Sequence, residues 1–239
     1  MGAHAFFLDV DGTLIDLAAH PDAVVVPDDL PRTLARLAEA ASGALALVSG
    51  RTIERLDGLF GVARFAAAGS HGAQLRHAPG HDVEAVPDLD PEVAQALKRA
   101  ALAFAGVFVE DKGPSLAIHY RACPAQAPHL RLALEEVAAA APDLVLLPGH
   151  FVFEAKRAGY DKGSAVEALM RHPPFAGRTP VFIGDDVTDE AAFRAVLAAG
   201  GLAIAVGAPR AGAAAVLPDP SDVRRFLTHL AAQPHQRGR

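Results

Sequence analysis

A single cysteine, Cys123, leaves this chain no way to build an internal disulfide framework, and such usage fits a reducing compartment. Basic residues are in the minority, 22 against 28 acidic, for a net charge of −6. The basic face by which proteins hold nucleic acid or an anionic membrane surface is therefore not expected. A small anionic substrate stays compatible with this balance if positive charge is concentrated locally. No apolar run reaches transmembrane length. No charged segment leads into an apolar stretch and a cleavage site, so the expectation is a soluble, cytoplasmic chain. Internal repeats are missing too. What is present is apolar bulk: 51% of 239 residues, enough to bury one large α/β core or two smaller ones, and too much for disorder.

Short apolar runs alternate with helical patterns over the first third. "AFFLDV" (5–10) reads as a buried strand. "PDDLPRTLARLAEAAS" (27–42) reads as a helix with Leu30, Leu34 and Leu37 at helical spacing. "ALALVSG" (44–50) is a second strand, "RTIERLDGLFG" (51–61) a helix stopped by Gly61, and "RFAAAGSHG" (64–72) a third strand running into a Gly-rich loop. Such alternation implies βαβ units and a parallel sheet. The pattern then changes. "GVFVEDKGPSLAIHYR" (106–121) predicts two strands joined at Gly113-Pro114, and "DLVLLPGHFVFEAKR" (143–157) two more around Pro148-Gly149. With helices over 90–105 and 126–141, this stretch reads as an α+β module with an antiparallel sheet.

After residue 160 the first pattern returns. "KGSAVEALMRH" predicts a helix with Ser164 and Glu167 as a capping box. "PVFIGDD" (180–186) and "LAIAVG" (202–207) read as strands, "AAVLPD" (214–219) as a short one, and "SDVRRFLTHLAA" (221–232) as a last helix before a disordered tail. The expected organisation is an α/β, Rossmann-like parallel-sheet core formed by 1–75 and 158–239, interrupted by an inserted α+β cap at 76–157.

Polar signals gather where the core strands end. Asp9 and Asp11 follow the first strand, Ser49 with Arg51 the second, and Asp185, Asp186 and Asp189 follow "VFIG", while Lys162 opens a helix. Singly each has an ordinary explanation, such as an N-cap, a turn or a solvated lysine. Together they fall at the carboxyl ends of parallel strands, where ligands bind in this architecture. Converging carboxylates need a cation, and hard oxygen donors suit Mg²⁺, whose coordination phosphate oxygens complete. A lysine and a hydroxyl beside it make an electrostatic cage for phosphoryl transfer. One carboxylate can attack phosphorus, and a second can protonate the leaving oxygen and then activate water.

The segments "DVDGTL", "LVSGR", "YDKGSA" and "IGDDVTDE" resemble the four ordered motifs of the haloacid dehalogenase (HAD) superfamily of Mg²⁺-dependent phosphohydrolases. The resemblance covers essentially the whole chain, insert included. It implies Asp9 as nucleophile and Asp11 as general acid/base, Ser49, Gly50 and Lys162 as phosphate-binding groups, and Mg²⁺ held by Asp9, the carbonyl of Asp11, and Asp185. Thr13, Asp186 and Asp189 would support them.

"GSHG" (69–72), "VEDKGPSLAIHYR" (109–121) and "FEAKRAGYDKGSA" (153–165) together resemble the trehalose-6-phosphate phosphatases within that superfamily. By that resemblance Glu110, Lys112 and Glu154 bind hydroxyls of the distal glucose. The proline that members often carry after the cap glutamate is missing from "EAKRAG". Arg51, His71 and His119 are further candidates for sugar contact, although a loop position for His71 and a strand position for His119 fit local hydrogen bonding equally well. The implied partner is a phosphorylated disaccharide, with no nucleic acid or membrane. Two alternatives stand beside this: a phosphatase for another sugar phosphate (sucrose-phosphate or mannosyl-phosphoglycerate type), and a non-catalytic sugar-phosphate sensor on the same fold.

Overall fold

A computed structural model describes residues 3–18, 21–61, 65–149 and 151–232. The expected disordered tail, and residue 64 at the start of the predicted third strand, lie outside them. The chain divides into two compact units, 1–84 with 160–239, and 85–159. These divisions fall later than the 75/76 and 157/158 expected from the change in strand and helix pattern. At or before the first lie two strands that the pattern did not reveal, Glu84–Ala85 at the end of the large sheet and Gln74–Arg76, the latter turning back antiparallel on the third strand. Its Arg76 is buried, with its guanidinium on both oxygens of Asp57 and on the carbonyl of Phe65.

In chain order the first unit contains β1 (His4–Leu8), α1 (Leu30–Ala40), β2 (Leu45–Val48), α2 (Ile53–Phe60), β3 (Ala66–Gly69), β4 (Gln74–Arg76) and the two-residue β5 (Glu84–Ala85) at the division. The second unit follows with α3 (Pro91–Leu102), β6 (Phe108–Asp111), β7 (Ser115–His119), α4 (Ala127–Ala139), β8 (Leu144–Gly149) and β9 (Val152–Arg157). The chain then returns to the first unit through α5 (Lys162–Met170), β10 (Thr179–Gly184), α6 (Glu190–Ala198), β11 (Leu202–Val206), β12 (Ala215–Leu217) and α7 (Pro220–Ala232).

The large sheet has the order β12-β11-β10-β1-β2-β3-β4-β5, and every pairing from β12 to β3 is parallel. The central strands are apolar along their whole length because helices cover both faces of a parallel sheet. Even the alanine run of β3, a strong helix former by propensity, is held as a buried strand between β2 and β4. Phe7 stacks on Phe175 at 5.3 Å, and Phe182 meets Phe193 edge-on at 5.7 Å, in the centre of this core. Leu30, Leu34 and Leu37 lie on the buried side of α1, as their spacing predicts. Strand β1 is the topological switch point: β2 and β3 lie to one side, and β10 to β12 to the other. The carboxyl ends of β1, β2 and β10 therefore diverge around one crevice, the ligand position of such sheets.

The second unit is a four-stranded antiparallel sheet, order β6-β7-β9-β8, with α3 and α4 packed on one face. Leu116, Ile118, Phe153 and Ala155 fill that face against Leu97, Leu130 and Leu134. Pro148 and Gly149, expected as a turn, instead end strand β8, which lies at the sheet edge, where a missing N–H costs no ladder bond. No described helix is long and apolar enough to cross a membrane.

Candidate active site

The site begins in the loop after β1. Asp9 leaves the strand end buried, and the chain then doubles back, with the Gly12 N–H donating to the carbonyl of Ile15 at 2.8 Å. Gly12 sits at φ +82°, and a Cβ there would lie 2.2 Å from Oδ2 of Asp185. Two properties of glycine are thus used at once: a backbone angle that other residues rarely adopt, and the space that lets Asp185 come in from β10.

Lys162 reaches the same point from the first turn of α5. The Asp161 side chain accepts from the Ser164 N–H at 2.8 Å, and Ser164 Oγ accepts from the Asp161 N–H at 2.9 Å. The capping box therefore starts at Asp161 and not, as the spacing suggested, at Ser164 with Glu167. The shift has a consequence, because it makes Lys162 the first helical residue and aims its side chain at the end of β1. Its Nζ donates to Asp9 Oδ1 at 2.7 Å and to Asp189 Oδ1 at 2.6 Å.

Carboxylate oxygens of Asp9, Asp185 and Asp189 all lie within 4.8 Å of one another. Thr13 donates to Asp185 at 3.2 Å, and Asp189 also accepts from the Asp186 N–H at 2.9 Å. Burial pushes Asp9 well above the usual carboxylate range; Lys162 opposes this, while Asp189 and Asp185 add to it. Burial, with Asp189 next, raises Asp185 to about 6. Burial works against the charge of Lys162, yet Asp189 and Asp9 outweigh it, and its pKa is raised. Three carboxylates thus share one ammonium in a desolvated place. A second, divalent cation with a preference for hard oxygen donors fits this donor set and charge deficit.

The other expected residues fall around this cluster with differing roles. The Asp11 carboxylate is turned to Arg51 and is not among the three; Nε and Nη2 of Arg51 donate to its two oxygens, each at 2.7 Å. Arg51, a candidate for sugar contact in the sequence, is placed here on Asp11. What was expected of Asp11 toward a metal is its backbone carbonyl, not its carboxylate. Ser49 is buried after β2, and its Oγ accepts from the Arg51 N–H at 3.1 Å. Gly50 has the His71 ring against it, since a Cβ at Gly50 would lie 2.4 Å from Nε2. The His71 N–H donates to the carbonyl of Ser49, so His71 belongs to the same strand-end crevice. Asp186 stands apart: its carboxylate caps the turn ahead of α6, accepting from the Val187 N–H at 2.7 Å. The Arg210 Nε donates to the backbone carbonyl of Asp185 at 2.9 Å, a link for which the sequence held no signal.

In the second unit, strand pairing puts Glu110, Ser115, Ala117, His119, Glu154 and Lys156 on the sheet face away from the helices. The face is not simply solvated. Glu154 is 6% and Lys156 3% exposed, and Ser115 is fully buried. Ser115 Oγ donates to Glu154 Oε1 at 2.8 Å, and Lys112 Nζ approaches the same oxygen at 3.4 Å. His119 Nε2 lies 3.3 Å from Glu110 Oε2. Ser115 and Lys156 were missed in the sequence. Lys156 was findable, because it follows Glu154 by two and so shares its face.

A family model described as trehalose-phosphatase matches residues 7–217. Among curated relatives, a probable trehalose-phosphate phosphatase of Sinorhizobium fredii is 44% identical over 231 residues, covering 95% of this chain and 87% of its own. The trehalose-6-phosphate phosphatase of Escherichia coli is 40% identical over 206 residues, covering 85% and 77%. Among solved structures, the C-terminal domain of the C. albicans trehalose-6-phosphate phosphatase superposes with a TM-score of 0.84 at 24% identity, covering 96% of this chain and 93% of that one. That likeness bears on the fold; the family model and the two relatives bear on descent. On their extent and identity, this chain belongs to the trehalose-phosphatase family.

Proposed function

We infer that this chain is a Mg²⁺-dependent phosphatase that hydrolyses trehalose 6-phosphate to trehalose and phosphate. The observation that carries the reading is Lys162 bridging Asp9 and Asp189, with Asp185 beside them, at the switch point of the sheet. Asp9 and Asp185, with the carbonyl of Asp11, would hold Mg²⁺, and Asp189 supplies the third carboxylate of the cluster. When bound, the metal supplies positive charge that lets an anionic nucleophile and an anionic ester come together.

In the first step an Asp9 carboxylate oxygen attacks phosphorus, the P–O bond to C6 of the sugar breaks, and Asp11 delivers its proton to the departing sugar oxygen. An aspartyl-phosphate on Asp9 and free trehalose result. In the second step Asp11, now a carboxylate, takes a proton from water, whose oxygen attacks phosphorus and releases phosphate from Asp9. Lys162, Ser49 and the backbone at Gly50 bind the phosphoryl oxygens throughout. Glu110, Lys112 and Glu154 select the disaccharide through its hydroxyls, since a carboxylate accepts from adjacent sugar O–H groups. A cytoplasmic site of action belongs to the same proposal, in keeping with the single cysteine.

The test is phosphate release from trehalose 6-phosphate, sucrose 6-phosphate, glucose 6-phosphate and p-nitrophenyl phosphate, each with Mg²⁺ and with chelator. The expected result is a Mg²⁺-dependent preference for trehalose 6-phosphate. Equal rates on all four esters would overturn the substrate, and no release from folded protein would overturn the phosphatase.

A further inference from the structure

We propose that Arg51 is the positioning residue for Asp11, fixing the plane and direction of the carboxylate that moves protons in both steps. The assignment rests on Asp11 being the acid/base of the phosphatase reading above. Its own basis is geometric. Strands β1 and β2 are neighbours in register, with Leu8 opposite Leu47, so the loops that follow them leave the sheet side by side. Asp11 comes from one loop and Arg51 from the other. The guanidinium meets the carboxylate through Nε and Nη2, one nitrogen per oxygen and both at 2.7 Å. A two-point contact of this kind fixes orientation as well as position, which a lysine ammonium does not. The contact is shielded, with the Arg51 side chain 10% and that of Asp11 30% exposed. Arg51 is itself held from its backbone side, because Ser49 Oγ accepts its N–H and its carbonyl accepts from the Ser70 N–H at 2.8 Å.

The alternative use of an arginine here is direct binding of the substrate's phosphate. The two roles separate kinetically. A sugar alkoxide is a poor leaving group and needs a proton from Asp11, whereas p-nitrophenolate leaves without one. Water attack on the aspartyl-phosphate needs Asp11 for either ester. Loss of positioning therefore slows trehalose 6-phosphate turnover and the second step, and largely spares formation of the phospho-enzyme from the nitrophenyl ester.

The experiment follows p-nitrophenolate release by stopped flow, and trehalose 6-phosphate turnover at steady state, for the wild type, Arg51→Ala and Arg51→Lys, with thermal unfolding as the check on folding. The expected result for Arg51→Ala is a steady-state loss on trehalose 6-phosphate of roughly 100-fold, the lower range for a positioned acid/base. The loss in the burst rate of nitrophenolate is at least tenfold smaller, and KM for neither ester rises more than threefold, that for the nitrophenyl ester falling as its second step slows. Arg51→Lys recovers part of the steady-state rate. Burst and steady state falling together, or KM for both esters rising tenfold with kcat held, would overturn the assignment in favour of phosphate binding or general scaffolding. Wild-type protein inert toward both esters would overturn the phosphatase reading and this assignment with it; an active wild type with insensitive Arg51 variants overturns the assignment alone.

Discussion

Adding one methyl group at Gly12 tests whether Asp185 is held where the chemistry needs it. The φ of +82° at Gly12 makes alanine costly by roughly 1–2 kcal/mol, the price of a left-handed backbone for an L-residue. For a chain of this size that predicts a fall in melting temperature of roughly 2–8 °C. The larger effect is local. The new Cβ would stand 2.2 Å from Asp185 Oδ2 and 2.6 Å from its Cγ. To regain ordinary contact near 3.5 Å the carboxylate must retreat by about 1 Å. It is the far end of a side chain and gives way at small cost to folding, losing its contact with Thr13. A reactive constellation misplaced by 1 Å loses on the order of 10²-fold in rate. Gly12→Ala is therefore expected to fold, to melt slightly lower, and to release phosphate about 100-fold more slowly at saturating Mg²⁺. The paired assay is phosphate release and thermal unfolding on the same preparation. A variant that keeps more than about a third of the wild-type kcat would show that Asp185 is not needed at its observed position.

Three other outcomes follow from the same geometry. Lys162→Met leaves Asp9 and Asp189 buried without their ammonium, a break worth about 3–5 kcal/mol, and thermal unfolding in chelator will show it; stability equal to wild type would contradict the bridge. Chelator alone is expected to stop phosphate release and lower the melting temperature, with Mg²⁺ at about 100 times its Kd restoring about 2.7 kcal/mol; a melting temperature indifferent to Mg²⁺ speaks against metal at the carboxylate cluster. Glu154→Gln removes the charge proposed to accept a sugar hydroxyl, so kcat/KM on trehalose 6-phosphate should fall by roughly 10- to 100-fold, from about 1.5–3 kcal/mol for a hydrogen bond to a charged group. The loss on p-nitrophenyl phosphate should be at least tenfold smaller, and equal losses would remove Glu154 from sugar selection.

Much of the core was legible because a buried parallel strand is a short continuous apolar run, and a charged residue at its end has to be explained by something other than the core. "AFFLDV", "ALALVSG" and "PVFIGDD" each revealed a strand and its terminal polar residues in this way, and the register of β1 with β2 and β10 brought those ends together. The period of two did the same for Glu110 and Lys112 in the second unit. Where reading stopped short, a local signal had two equally good local answers. Ser164 fits a capping box as its first residue or as its fourth, and only the backbone bond to Asp161 decides. Pro148-Gly149 fits a turn or the end of an edge strand, and strand order decides.

Residue pattern alone determined the fold class, the two-part organisation and which groups stand at the strand ends, because burial and backbone periodicity act over a few residues. Partnership was left to the tertiary structure. Lys162 meets Asp9 across 153 positions in the chain, and Asp189 comes within 4.8 Å of the carboxylates of Asp9 and Asp185. Arg51 turns to Asp11 because β2 lies beside β1. Those pairings depend on the order of strands across the sheet, a choice made by the packing of the whole core, which no short stretch of sequence encodes.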